Sequence, residues 1–394
     1  MARHPALAPT LLILSLLAGC ATVDPASDGS SQRLPPDMTR RSEAGPRWAT
    51  ATSPAEIRLL VARLLPASVK DKNSWANDLQ MAFTHLKIPH APQTYCAAMA
   101  VIEQESTFQA DPVVPGLPDI VWRELEQRGA RYGIPKLLIS AAMLKSSPDS
   151  RSYQQRIDAL KTEKQLNALY LDMIDELPFG KQLFADANPV RTAGPMQVSI
   201  EFAEQHALAT PYPYPVGKTI RDEVFTQRGG VYFGIAILLD YPAPYTDIIY
   251  RFADFNAGRY SSRNAAFQSA LARLSGHALS LDGDLLRYEK GNPADKPSRV
   301  ETAARQISDA LRLNPAEIRR DLLLEKTPAF GTSLLFNRVF AEADKITGTT
   351  QPRQTMPQID LKSPKITRKL TTEWFARRVE TRYKSCLTRG EGNA

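Results

Sequence analysis

Val101-Ile102-Glu103-Gln104-Glu105-Ser106-Thr107-Phe108 places a Glu-Ser pair directly after a run of small and apolar residues, Ala97 to Ile102. The pair therefore falls at the C-terminal end of a buried helix. A carboxyl group there meets the negative end of the helix dipole and an apolar wall, and both raise its pKa. A raised pKa keeps a proton available near neutrality, which is what a general acid needs. Glu105 is thus the candidate catalytic residue. Glu103 is not its natural second: two residues along a helix is a rotation of about 200°, so the two carboxylates point apart. Ser106 can bond and position Glu105, or be an ordinary helix-terminal residue.

Two later stretches supply further groups, Gly194-Pro195-Met196-Gln197 and Ala253-Asp254-Phe255-Asn256-Ala257-Gly258. Gly194 allows close backbone approach and Met196 offers a soft apolar wall. Gln197 both donates and accepts, so it can bind an amide or brace the site. The plainer reading is a turn leading into a helix, with Met196 in the core. Asn256, with Ala257 and Gly258, can bond the carboxyl group and a ligand, or cap a helix in left-handed backbone. Tyr260 and Tyr288 are candidate stacking residues.

Glu-Ser, then Gly-x-Met-Gln, then Ala-aromatic-Asn-Ala-Gly, in that order, resembles the lytic transglycosylases of the goose-type lysozyme superfamily. The resemblance spans about Tyr95 to Arg273. It implies a lysozyme-like helical catalytic domain acting on the glycan strands of peptidoglycan, without a cofactor or metal. In that family one glutamate protonates the bond between N-acetylmuramic acid and N-acetylglucosamine, then serves as base while a 1,6-anhydro ring closes. Carried over residue by residue, Glu105 is catalytic, and Ser106, Gly194, Met196, Gln197, Phe255, Asn256, Gly258 and Tyr260 line the substrate site. Pro195 stands where the family has leucine, and Phe255 where it has tyrosine. The 89 residues between Glu105 and Gly194 replace a short connection. A hydrolase on the same fold needs a second carboxylate, for which Asp111 and Asp254 are nearest in sequence. A non-catalytic peptidoglycan-binding or assembly lipoprotein is the reading from another class. The rest of the chain is similar to a bacterial lipoprotein family known mainly as a domain of unknown function.

Residues 1–19 read as a lipoprotein signal: Arg3, an apolar centre from Leu11 to Leu17, then Leu17-Ala18-Gly19-Cys20. The apolar run is too short to span a bilayer. Cys20 is the expected lipidation site, and Ala21 after it favours, by family analogy, the periplasmic face of the outer membrane. Residues 20–50, rich in Pro, Ser, Asp and Arg, read as a tether with a reach of about 30 Å. Removing the signal leaves 48 basic against 42 acidic side chains. A basic periplasmic protein suits an anionic polymer or membrane, and the secretion signal argues against nucleic acid. Other cell-wall enzymes are possible partners that the sequence does not identify.

The whole sequence is 43% hydrophobic, and the chain after the tether reads as nearly all helical. Ser53-Pro54-Ala55-Glu56, Ser298-Arg299-Val300-Glu301 and Asn314-Pro315-Ala316-Glu317 are capping boxes. Helices are expected over 53–65, 73–86, 94–106, 199–206, 230–239, 245–256, 262–274, 332–346 and 371–387. The long interval carries three more, over 119–132, 135–143 and 151–177, and so reads as a helical insertion at about 113–190. The domains expected are 51–290, lysozyme-like with that insertion, and 291–394, a helical region packing on it. Cys96 and Cys386 remain for an oxidising periplasm. Cys96 precedes Glu105 by nine residues, half a turn off in helix phase. Cys386 shares an apolar stripe with Phe375, Val379 and Tyr383. A Cys96–Cys386 disulfide would fasten the last helix to the back of the catalytic helix, outside the cleft.

Overall fold

The computed structural model describes residues 53–289, 291–361 and 369–391. The signal segment, Cys20 and the tether lie outside the described residues. The fold is mainly α, and among the described residues the strands are two residues long and pair into three two-stranded sheets. Helices α1 (Pro54–Leu64), α2 (Lys72–Leu86) and α3 (Pro92–Glu105) open it. The Ser53 hydroxyl accepts from the Glu56 amide while the Glu56 carboxylate accepts from the Ser53 amide, which fixes where α1 begins. The long interval holds α4 (Leu117–Arg131), α5 (Lys136–Met143), α6 (Tyr153–Asp158), α7 (Glu163–Asp175) and α8 (Gly180–Phe184). The single helix expected over 151–177 is two, because Thr162 and Gln165 form a second capping box that starts α7 afresh.

Hairpin strands β1 (Thr192–Ala193) and β2 (Val198–Ser199) lead into α9 (Ile200–Ala209) and α10 (Ile220–Val224). The next helix, α11 (Gln227–Leu239), is the centre of the fold. Every residue from Gly229 to Leu239 is buried, and it packs on α2, α3, α9, β2 and α12 (Ile249–Ala257). A helix apolar all round belongs inside a core. The first core gathers residues from Ile57 to Ala253 and adds Phe375, Ala376, Val379 and Cys386.

A second core begins with Ala266 in α13 (Ser261–Ser275) and runs to Ala343. It is built by α14 (Arg299–Gln306), α15 (Ser308–Leu311), α16 (Pro315–Leu322) and α17 (Leu334–Thr347) around Phe267, Phe330, Phe336 and Phe340. The boundary expected near residue 290 thus falls about 25 residues earlier, and α18 (Thr372–Glu391) returns to the first core. Arg263, fully buried, ties α13 to the segment after α16 by donating to the Glu325 and Thr327 carbonyls at 2.5 and 2.8 Å.

His206 of α9 lies among Phe202, Tyr232 and Phe233. Burial, and then Arg259, hold its pKa down at about 4 against an ordinary 6.5. Between those values the unfolded chain takes a proton that the folded one refuses, so stability is lost as pH falls below about 6.5. At about 1.4 kcal/mol per unit, this site should cost roughly 2 kcal/mol between pH 7 and pH 5. Urea unfolding at the two pH values should therefore show a steeper loss in wild type than in His206→Gln. Equal slopes would remove His206 as the cause.

Candidate active site

Helix α3 explains the position of Glu105. From Tyr95 to Ile102 it is fully buried, and its last turn, Glu103 to Glu105, then comes partly to the surface. Ser106 ends it: its amide and its hydroxyl both donate to the Ile102 carbonyl at 3.0 Å. That hydroxyl is spent on its own helix. The chain then turns through Thr107 (φ 52°) and Phe108 (φ 58°), consecutive side-chain-bearing residues in left-handed backbone. Such residues cost on the order of 1 kcal/mol or more each and persist only where their surroundings impose them. Here Phe108 is pinned edge-on against Trp75 of α2, ring centres 5.2 Å apart.

The second motif is the loop of the β1–β2 hairpin, registered Thr192 to Ser199 and Ala193 to Val198. Gly194 takes φ 74°, and a Cβ there would lie 2.2 Å from the Val224 carbonyl oxygen, so only glycine fits. Gln197 is also left-handed, at φ 49°. Its amide nitrogen donates to the Gly194 carbonyl and its oxygen accepts from Thr192, both at 3.3 Å, which braces the hairpin. Met196 is wholly buried and packs where Gly234 leaves room on α11. It is therefore a core residue rather than a wall for a sugar.

The third motif closes α12. Gly258, at φ 103° and ψ 147°, takes the backbone that only glycine holds comfortably, so Asn256 is not the helix cap. The Asn256 Oδ1 instead accepts from the buried Thr372 hydroxyl at 2.8 Å. Phe255 lies parallel to Phe375, centroids 6.4 Å apart. Tyr260 is buried, with Arg263 over its ring and Tyr241 against its edge, and so offers no face for stacking a ligand. Tyr288 donates to Glu325 at 2.5 Å, at the edge of the second core. The two named second carboxylates differ in setting. Asp254 is 1% exposed and accepts from Tyr241, Tyr245 and the amides of Tyr260 and Ser262. Burial raises its pKa while those bonds oppose the rise. Its work is to join α12 to α13. Asp111 is exposed and accepts from Thr162 in the interval before α7.

Helix α18 is fastened to α3, as the sequence predicts. Cys96 and Cys386 are joined by a disulfide with alpha carbons 5.5 Å apart. The helix also reaches beyond α3. Its first residue, Thr372, holds Asn256, and Arg382 and Arg389 stand 4.0 and 3.9 Å from Glu103. Arg382 also feels the charge of Glu105: burial and Arg378 lower its pKa, and Glu103 and Glu105 pull it back up. Glu103 thus faces α18, as its phase against Glu105 requires. The elements carrying the three motifs all pack on α11. Four of the nine described non-glycine residues at positive φ, namely Thr107, Phe108, Gln197 and Tyr260, lie in or beside those motifs. Strained backbone of this kind gathers at functional sites. Among the described residues no cluster of three or more His, Cys, Asp or Glu is set to hold a metal.

Residues 68–389 match the family described as "Protein of unknown function (DUF1615)". The chain belongs to that family. It is also 43% identical over 384 residues to the "Uncharacterized protein YaiW" of Escherichia coli (strain K12), covering 98% of each chain. No solved structure matches it. The family description names no activity, and neither match carries the transglycosylase resemblance. The matched span runs through the long interval and almost to the end of α18, so both belong to the family unit rather than being appendages to it.

Asn256→Ala should leave the Thr372 hydroxyl buried without its acceptor and destabilise the fold by about 1–3 kcal/mol. Asn256→Gly should be at least as costly, since it adds a helix-interior glycine, worth about 1 kcal/mol more than alanine. Denaturant unfolding checks both. A neutral glycine variant would restore the capping role.

Proposed function

We propose that this protein is a lytic transglycosylase of peptidoglycan, lipid-anchored through Cys20 on the periplasmic face of the outer membrane. The observation that carries the reading is the backbone strain at all three motifs, with Glu105 half-exposed at the end of a buried helix. In the proposed reaction Glu105 donates its proton to the oxygen between N-acetylmuramic acid and N-acetylglucosamine as that bond breaks. The muramoyl acetamido group stabilises the positive charge that develops at the anomeric carbon. Glu105, now a carboxylate, takes the proton of the muramoyl 6-hydroxyl, whose oxygen closes the 1,6-anhydro ring. No water enters and Glu105 ends protonated, so one carboxyl group suffices where most glycosidases use two.

A second reading, a peptidoglycan-binding lipoprotein without activity, draws support from the burial of Met196 and from the protein-internal bonds of Gln197 and Asn256. Incubating the purified protein with sacculi separates the readings by product mass. A transglycosylase releases anhydro-muropeptides, each one water lighter than the muramidase product. Intact sacculi that retain the protein would favour the binding role.

A further inference from the structure

Helix α5 is apolar on both of its sides, and the core uses one of them. Gly133 (φ 71°) ends α4, its amide donating to the Ala130 carbonyl at 3.1 Å, and Pro135 then starts α5. The inner stripe, Ile139 and Met143, is buried. Gly129 of α4 makes room for it, since a Cβ there would lie 2.4 Å from the Ile139 Cδ1. Leu137, Ala141 and Leu144 follow at spacings of four and three and share the opposite stripe, with Leu138 beside them. Leu137, Leu138 and Leu144 are 78%, 57% and 64% exposed, and Tyr132, in the turn before α5, is exposed as well. Of thirteen exposed large hydrophobic side chains among the described residues, these four fall within one turn and the helix after it. Gathered in that way, they mark a contact surface rather than the scatter normal to any domain. The charges around them are one-sided. From Gln127 to Pro148 the sequence has no acid, and Arg131, Lys136 and Lys145 border the leucines. Glu126 pairs with Lys136 at 2.7 Å and Glu176 with Lys145, and in each pair the lysine is the more exposed partner. Asp149, the next acid along the chain, is held by Arg151 at 2.6 Å. Arg131 is exposed and has no ion pair among the described residues.

We infer that the Leu137, Leu138 and Leu144 face of α5 is a membrane-contact surface, which seats in the headgroup region of an anionic phospholipid bilayer. This rests on the lipid-anchor reading above. Apolar side chains bordered by basic ones suit the boundary where hydrocarbon meets phosphate. There a lysine lays its stem along apolar surface and turns its ammonium group to phosphate, and a tyrosine has the same double character. The tether expected between Cys20 and Ser53, with a reach of about 30 Å, keeps the domain beside the bilayer at an effective concentration of about millimolar. A patch of modest affinity is then sufficient. A second copy of the chain is a poorer occupant, because a two-fold contact would set Arg131, Lys136 and Lys145 against their own counterparts. Lipid phosphate neutralises them instead. A tether alone limits distance and leaves orientation open, whereas this face would fix which side of the domain turns to the membrane.

Vesicle binding tests this on the chain from residue 20 onward, with Cys20→Ser so that no acyl chain contributes. In flotation with vesicles of phosphatidylethanolamine and phosphatidylglycerol, that protein should bind. Adding Leu137→Asn and Leu138→Asn together should weaken partitioning on the order of tenfold. Both side chains are exposed, so the thermal transition should stay in place. Arg131→Gln should weaken binding to these vesicles but not to phosphatidylcholine alone. Leu137→Trp gives a second reading that loss of fold does not mimic: vesicles should shift its emission to the blue, beyond any change in the parent protein. No binding, binding that the asparagine pair leaves unchanged, or an unmoved emission in Leu137→Trp overturns the surface. Self-association that the asparagine pair abolishes, without vesicle binding, assigns the face to a second copy and also overturns it. The anchor is read separately, by mass analysis of Cys20 in protein taken from cells. A bare Cys20 with leucine-dependent vesicle binding removes the anchor reading and leaves the surface standing. An acylated Cys20 without such binding does the reverse.

Discussion

Glu105→Gln should fold like wild type and release no anhydro-muropeptides from sacculi. The reaction asks one carboxyl group to give a proton and then accept one, and the isosteric amide does neither. General acid–base catalysis is worth about 10²–10⁴-fold, so the product should fall below detection in an assay with ordinary background. The turn that ends α3 is held by other groups. The Ser106 bonds that end α3 involve the Ile102 carbonyl, and the Thr107–Phe108 turn is held by the packing of Phe108 on Trp75. Arg382 keeps Glu103 nearby when the charge at position 105 is removed. Two measurements decide the matter together: mass analysis of the soluble products and an unfolding curve. A folded variant with full activity would sink the single-carboxyl mechanism. Loss of activity accompanied by unfolding would locate the defect in α3.

What was legible in the sequence follows from which interactions are local. Ser53 with Glu56 and Asn314 with Glu317 are capping boxes in the fold as in the sequence, because each needs only residues three apart. The break between α6 and α7 was equally local, since Thr162-Glu163-Lys164-Gln165 is itself a capping box within the predicted long helix. Side-chain exposure was not legible. Met196 and Tyr260 look like wall and platform in a motif, yet both are buried, Met196 against Gly234 and Tyr260 between Arg263 and Tyr241. Nor does any residue type announce Thr107 and Phe108 at positive φ, since neither favours it. The second core was hidden for a similar reason. Ser262 to Leu274 reads as one helix, but it leaves the first core at its start and enters the second from Ala266 onward. Helix phase and the apolar stripe of the last helix paired Cys96 with Cys386 correctly. They could not say that a 20-residue helix fastened at Cys386 also reaches Asn256 through its other end.

Replacing both Cys96 and Cys386 by serine should lower the free energy of unfolding by several kcal/mol. The bridge spans 290 residues, and in the chain-entropy model closing so long a loop in the unfolded state is worth about 5 kcal/mol, with measured values commonly 2–4. The loss should be global rather than confined to the end of the chain, because Phe375, Ala376, Val379 and Cys386 belong to the same core as α3 and α11. Freed of the bridge, α18 keeps its apolar face, the Thr372–Asn256 bond and the Arg389 bond to the Leu64 carbonyl, so the variant should still fold. Reducing agent separates the cross-link from the side chains. It should lower the denaturation midpoint of wild type towards that of the double variant and leave the double variant unmoved. The contacts of α18 with Asn256 and Glu103 also make activity a readout: if α18 steadies the site, turnover should fall before the protein unfolds as denaturant is raised, and earlier in the double variant. An unchanged midpoint in both comparisons would mean that packing alone holds α18 in place, and that the bridge adds nothing to the site it flanks.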